Sequence, residues 1–202
     1  MEATSGFSPD PVYSLLRYLT LPVVAVTTSA GGTRNAMIAN SAQRASLVPA
    51  VPRISVYISK TNFSHDLVYA SGLFGVHLLR ADQWELIWRL GFQSARDADK
   101  LAGLQLATGS TGCPLLVDVR AAFECRVANA MDAGAATFFL GDVVGVTEGA
   151  PGPVMTSEYF REHLPEDKRR IYEARLMEAQ RTLERLARDV SPRSWPGPTT
   201  GP

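Results

Sequence analysis

The residues whose types and spacing could hold a ligand lie in one stretch, Asn35 to Ser64. A small, polar segment, Asn35-Ala36-Met37-Ile38-Ala39-Asn40-Ser41-Ala42, leads to a Pro-broken connection, Pro49-Ala50-Val51-Pro52. An alternating run, Arg53 to Ser59, follows, and then a polar cluster, Lys60-Thr61-Asn62, before Phe63-Ser64-His65. Alternation of Ile54, Val56 and Ile58 with Ser55, Tyr57 and Ser59 is the period of a half-buried strand. Small residues beside such a strand let a flat ligand approach the backbone, because no bulky side chain stands in the way. Lys60 and the hydroxyls of Thr61 and Ser64 could take an anionic end of that ligand. A surface hairpin with ordinary polar loops fits this stretch equally well.

The surrounding sequence predicts the elements that must position these residues. Pro11 to Leu19 has a helical pattern, and Pro22 to Thr28 reads as a buried, β-branched strand. Ser29-Ala30-Gly31-Gly32-Thr33 reads as a hairpin turn; no G-x-x-x-x-G-K-[ST] motif and no helix follows it, so it is not a phosphate loop. Ser64 is the expected N-cap of a short helix that Gly72 ends. Phe74 to Leu79 reads as a strand, with His77 as a hydrogen-bonded structural histidine. Trp84, Ile87, Trp88 and Gly91 recur at helical spacing, which points to packing rather than to ligand stacking. Ser94 to Gly103 is polar and of mixed charge, the pattern of a solvated loop or helix end. After a turn at Gly109 to Pro114, Leu115 to Asn129 gives two short strands and Ala136 to Val146 a long one. A bulge or close backbone approach is expected at Gly141. Five or more strands with inserted helices predict a small barrel with helical decoration. The absence of a β-α-β series and of G-x-G-x-x-G excludes a Rossmann domain.

The last third changes character. Glu166 to Val190 is predicted as one charged amphipathic helix, with Pro165 suited to its first turn and an apolar stripe at Leu176, Ala179, Leu183, Leu186 and Val190. That stripe could dock on its own barrel or on a partner subunit. The tail from Ser191 to Pro202 is too rich in Pro and Gly for regular structure; it is disordered or an extended arm anchored by Trp195. At 202 residues one domain is the default. Twenty basic residues balance twenty acidic ones, which argues against a broad electrostatic footprint for nucleic acid. Cys113 and Cys125 form no CxxC or metal pattern and read as reduced, buried thiols. The N-terminal MEATSGFSPDP lacks the pattern of a secretory signal, and no apolar run reaches membrane-spanning length, so a soluble cytoplasmic protein is expected.

Taken in order, these pieces resemble the flavin reductase-like proteins, whose fold is the FMN-binding split barrel. The resemblance runs from about Leu21 to Gly149. It rests on the strand and hairpin at Pro22 to Gly32, the N-x-M-x-A-x-S-like segment at Asn35 to Ser41 and the Ser46 to Pro49 connection. It continues in the strand from Ser71 to Leu79, in Asp99-Lys100-Leu101-Ala102-Gly103, in Gly112 to Leu116, and in Ala122-Phe123-Glu124-Cys125-Arg126-Val127, like the family's A-x-x-E-C-x-V. The resemblance implies a mainly β fold with helices (α+β) and a split-barrel domain over 1–150; beyond it, the residue patterns give a helical extension over 151–190, packing on the barrel or on a partner subunit, and a Pro-rich tail over 191–202. It implies noncovalently bound FMN, with FAD as a variant, usually at a homodimer interface. On the matching positions, Ala39, Asn40, Ser41 and Ala42 would run along the ring and ribityl chain, with Ser46 at the end of that segment. Lys60, Thr61, Asn62, Phe63 and Ser64 would take the phosphate, with Lys100 as a second phosphate candidate.

This chain departs from the family pattern in one respect that bears on the electron donor. Many members carry G-D-H before the last strand, with the histidine near the nicotinamide, and Gly134-Ala135-Ala136 stands there instead. Asn40 and Gln43-Arg44 also stand where smaller or hydroxylated residues are common. Three functions follow as expectations. The first is an NAD(P)H-dependent flavin reductase passing reduced flavin to a monooxygenase or another acceptor, with no protein acid or base assigned to the hydride step. The second is an FMN-containing electron carrier or a flavoenzyme with another substrate, and the third a non-catalytic interaction protein on the same barrel.

Overall fold

The structure is a computed structural model and describes residues 15–19, 21–93 and 99–199. Its strands are β1 (Val24–Ala30), β2 (Thr33–Ala39), β3 (Gln43–Arg44), β4 (Arg53–Ser59), β5 (Leu73–Leu78), β6 (Leu106–Thr108), β7 (Pro114–Leu116), β8 (Ala121–Asp132) and β9 (Ala136–Glu148). Its helices are α1 (Phe63–Ser71), α2 (Trp84–Phe92), α3 (Ser157–His163) and α4 (Glu166–Glu184), with a 3-10 turn at Arg17–Leu19. The first half of the helix expected over Pro11 to Leu19 lies outside the described residues.

Seven strands form one antiparallel sheet in the order β2-β1-β5-β8-β9-β4-β3, and β6 pairs with β7 apart from it. The edge strands β2 and β3 are consecutive in the chain, joined only by residues 40–42. So short a link spans at most about 15 Å, so the sheet must curl until its edges approach. The edges do not pair with each other, which leaves the barrel split, as the resemblance implies. The long β8–β9 hairpin carries register shifts between Glu124 and Cys125 and between Val127 and Asn129. Gly141 faces the second of these, and a Cβ there would lie 2.5 Å from Phe74 Cζ. Both features expected at Gly141 are therefore present.

Alternation places Val24, Val26, Val56, Ile58, Phe74 and Phe139 inside the barrel, all fully buried. A second core under α2 and α3 takes Leu79, Ile87, Leu90 and Leu116, and it draws in Met155 and Phe160 from beyond the last strand. Val23 donates to the Met155 carbonyl at 2.8 Å, which ties this later segment to the barrel. The tryptophans of α2 pack as expected, Trp84 on Phe160 at 5.6 Å and Trp88 on Phe92 at 4.1 Å between centroids. Both cysteines are free and buried, and burial pushes the Cys125 thiol up to about 12. Among the described residues no helix is long and apolar enough to cross a membrane.

Three local expectations need correction. The N-cap of α1 is Asn62, not Ser64: Asn62 Oδ1 accepts from the Ser64 N–H at 3.0 Å, while Ser64 turns its own hydroxyl inward. The segment expected to be solvated at Ser94 to Gly103 buries Lys100 and Leu101, because both fit against α2; residues 94–98 lie outside the described residues. The C-terminal helix ends at Glu184, and no residue along it is buried. It touches the body through Tyr172, which packs on Phe92 and Phe160. The tail is an extended arm anchored by Trp195, whose indole donates to the Tyr69 carbonyl at 3.3 Å.

His77 joins three strands. Leu116 N–H donates to its Nε2 at 3.1 Å, so the ring proton resides on Nδ1 and is donated to the Ala25 carbonyl at 3.2 Å. Full burial lowers its pKa from 6.5 to about 4, against a smaller opposing effect of the Ala25 bond. The unfolded chain thus binds more protons than the folded one between those two values, and stability falls as pH drops through that window. The loss should reach roughly 3 kcal/mol at pH 4. Urea unfolding of the wild type and His77→Gln at pH 7 and pH 4.5 checks this. The variant should be weaker at neutral pH but decline less on acidification, and parallel declines would refute the role.

Candidate functional site

β4 is the spine of the site. On one side β3 pairs with it, Gln43 opposite Ser55 and Arg44 opposite Ile54. Two further bonds continue that register in both directions: Ala45 N–H to the Arg53 carbonyl at 2.8 Å, and Ser41 Oγ to the Tyr57 carbonyl at 2.8 Å. The segment from Ser41 to Ala45 is therefore a strip laid along β4. Asn40 is exposed at its start, Ser41 half-buried and Ala42 buried. Ser46 sits at the far end, in the connection that ends at Pro52. The strip thus brings Ala39, Asn40, Ser41 and Ala42 beside the end of β4, from which Lys60 to Ser64 emerge.

Those five residues divide by what their side chains already do. Ser59 and Thr61 share a hydroxyl–hydroxyl bond at 2.9 Å, and Thr61 is exposed. Asn62 caps α1. Ser64 is fully buried and accepts from Asn35 Nδ2 at 2.9 Å, so its hydroxyl faces the interior rather than a ligand. Phe63 opens α1. Lys60 Nζ donates to Asp132 Oδ2 at 2.8 Å.

On its other side β4 pairs with β9, Ser59 opposite Ala136, and Lys60 N–H donates to the Ala135 carbonyl at 3.0 Å. This pairing seats the turn of the β8–β9 hairpin, with Gly134-Ala135-Ala136, against Lys60. Asp132 belongs to the same hairpin, and sequence reasoning missed it. It lies 72 residues from Lys60, and no local signal links the two. The Lys60 bond first, and then the Gly134 N–H at 2.7 Å, hold its carboxyl below the usual range. Gly134 has φ +73°, a backbone state that favours glycine.

Lys100 stands elsewhere. Its buried amine donates to the Leu90 carbonyl at 2.8 Å, in the last turn of α2, and Arg89 Nε donates to its carbonyl at 2.7 Å. The structure uses it to cap a helix end and does not bring it to Lys60.

A cavity of about 540 Å³ opens beside the strip. Ala42 and Ser46 line one wall, and Val76, Phe123 and Val146 line another. The volume and the mostly apolar lining suit a flat aromatic ligand with few polar groups.

The model of the flavin reductase like domain matches residues 16–166. The chain belongs to that family. A ferric-chelate reductase (NAD(P)H) of Archaeoglobus fulgidus is 34% identical over 121 residues, 59% of this chain and 70% of that protein. An FMN reductase (NADH) RutF of Ancylobacter novellus is 29% identical over 154 residues, 73% of this chain and 83% of that one. The solved FMN-binding protein of Thermus thermophilus is 26% identical, with a TM-score of 0.62 over 73% of this chain and 80% of its own.

Within this flavin reductase-like chain, two buried polar atoms bear on whether FMN fits. Among the described residues Ser55 Oγ and Asn35 Oδ1 have no hydrogen-bond partner, and neither has Thr27 Oγ1 in β1. Ser55 is paired with Gln43 of the strip, and Asn35 is bonded to Ser64 of the loop. Unsatisfied buried polar atoms are rare, and the one at Ser55 lies directly beside the strip. With exposed Asn40 and Thr61 and the Lys60 cation, the donor and acceptor set fits a ligand that is polar along one edge and anionic at one end. Among the described residues no cluster of His, Cys, Asp or Glu could hold a metal.

Lys100 gives a separable test. Burial lowers its pKa from 10.5 to about 8, so the unfolded chain binds more protons between these values. Stability contributed through this group therefore rises with pH across that window. Lys100→Met should abolish the rise in denaturant titrations from pH 8 to 10.5 and leave FMN affinity unchanged. A Kd for FMN raised several-fold would return Lys100 to the ligand site.

Proposed function

We propose that this chain is an NAD(P)H-dependent flavin reductase that holds FMN along the strip from Ala39 to Ala42, with the phosphate at Lys60 and Thr61. The observation that carries the reading is the Ser41–Tyr57 bond, which lays the small-residue strip along β4 and aims it at the Lys60 turn. The names of the two curated relatives, a ferric-chelate reductase and an FMN reductase, support the same activity. FMN supplies the redox chemistry when bound, taking a hydride from the nicotinamide. The chain's own residues bind and orient. Backbone groups of Asn40 to Ala42 would lie against the ring, the wall formed by Ala42 and Ser46 would exclude water, and Lys60 with Thr61 would fix the charged end. Asn62, Phe63 and Ser64 act through the loop, by capping and burying the start of α1. FAD would use the same ring strip.

The reading includes a soluble, cytoplasmic homodimer in which a barrel core, a helical extension and a tail have separate roles. Leu47, Val48 and Val146 are 84%, 56% and 63% exposed around the mouth of the cavity, an apolar rim that a second copy would cover. Reduced flavin would pass to a monooxygenase or another acceptor. A second reading, an FMN electron carrier or a flavoenzyme with another substrate, is favoured by Ala136, which leaves the hairpin without the family's histidine.

An anaerobic titration separates the two. Protein loaded with FMN should bleach rapidly in the visible on addition of NADH or NADPH. Flavin that binds but stays oxidised would favour the carrier. The phosphate assignment is tested by Lys60→Ala/Thr61→Ala, which should weaken FMN binding by roughly ten-fold or more. An unchanged Kd would show that the phosphate lies elsewhere.

A further inference from the structure

The C-terminal arm crosses the barrel at the Lys60 end of the site. It is placed on both sides of Arg193. Before it, the chain passes the hairpin turn, where a Cβ on Gly134 would lie 2.5 Å from the Ala187 carbonyl oxygen, and Ser191 lines the same cavity as Asp132. After it, the Trp195 indole donates to the Tyr69 carbonyl and meets the Tyr69 ring edge-on, with centroids 6.5 Å apart. Thr199 N–H then donates to the Ala70 carbonyl at 2.8 Å. Gly72 receives the arm closely: a Cβ there would lie 3.0 Å from Pro198 and 3.1 Å from Trp195.

Beneath the arm is a cavity of about 510 Å³ lined by Lys60, Asp132, His65, Thr137, Arg193 and Trp195. Lys60 and Asp132 neutralise each other there. Arg193 is exposed and forms no ion pair among the described residues, so this one side chain sets the sign of the lining: two cations against one carboxylate. Asp132 can also release Lys60 without being left bare, because the Gly134 N–H donates to it at 2.7 Å. An arriving phosphate would then meet an ammonium and a guanidinium together, and the planar guanidinium suits two phosphate oxygens.

We propose that the arm completes a phosphate subsite, in which Arg193 and Lys60 clasp the phosphate end of a bound nucleotide and Trp195 acts as the fastener. This rests on the assignment of Lys60 to the phosphate. It goes further in giving the extension a binding role and in making one arm residue decide between phosphorylated and unphosphorylated ligands.

Calorimetry on the full chain tests it, with FMN, riboflavin and inorganic pyrophosphate as separate probes. Arg193→Ala should weaken FMN by about ten-fold and leave riboflavin unchanged. Trp195→Ala, which frees the arm while keeping the guanidinium, should show the same selective loss. Pyrophosphate should bind the wild type and not Arg193→Ala. If FMN still outbinds riboflavin by the same factor in Arg193→Ala, the arm has no part in the subsite, although the Lys60 assignment survives. If the wild type takes no flavin but binds pyrophosphate through Arg193, the reductase reading fails and the anion site stands. Wild-type binding of neither FMN nor pyrophosphate overturns the subsite.

Discussion

β4 has one neighbour on each side, and each neighbour delivers a different half of the site. β3 brings Asn40 to Ala45 along one edge of it, held in register by Ser41 and Ala45. β9 brings the hairpin turn from Asp132 to Ala136 against the other edge. The strand between them ends in the Lys60 turn, so ring strip, phosphate loop and hairpin share one backbone reference. A slip of one residue on either side would turn the strip's side chains to the opposite face and part Lys60 from Asp132. The constraint that enforces the pairing is burial. Val56 and Ile58 are fully buried inside the barrel, and only one register keeps them there.

The split in the barrel follows from the same arrangement. Residues 40–42 join the two edge strands without pairing them, which leaves backbone and small side chains facing an open groove rather than a ladder. A closed barrel would satisfy those groups internally. The orphan hydroxyl at Ser55 lies on β4 opposite Gln43 of the strip, where a ligand could supply the partner. The charge pattern is similarly local. The chain as a whole is neutral, yet the Lys60 end collects two cations against one carboxylate once the arm is in place.

Much of this was legible in the residues. Period-two alternation marked β4, and small residues before it marked the strip. Gly72 marked the end of α1, and it adopts the left-handed backbone expected, φ 67°. Local chemistry misled at Ser64 and at Lys100. A serine before a helix is a good cap, but Asn62 two residues earlier takes that role, leaving Ser64 to bond Asn35 across the interior. A lysine in a polar run reads as solvated, but α2 offers it a carbonyl in a buried setting. The amphipathic stripe of α4 was legible as a pattern but not in extent: the helix ends at Glu184, and its stripe is at most half-buried.

The sequence by itself determined which segments are strands and helices, where they turn, and which short stretches carry polar groups suited to an anionic, flat ligand. Those properties depend on side-chain size, backbone freedom and spacing along a few neighbouring residues. Only the tertiary structure decided which polar groups are free. Lys60 meets Asp132 across 72 residues because β4 pairs with β9. Trp195 brings Arg193 to the same place because the groove beside α1 accepts an indole. Such contacts depend on the global path of the chain, and no local pattern of residues encodes it.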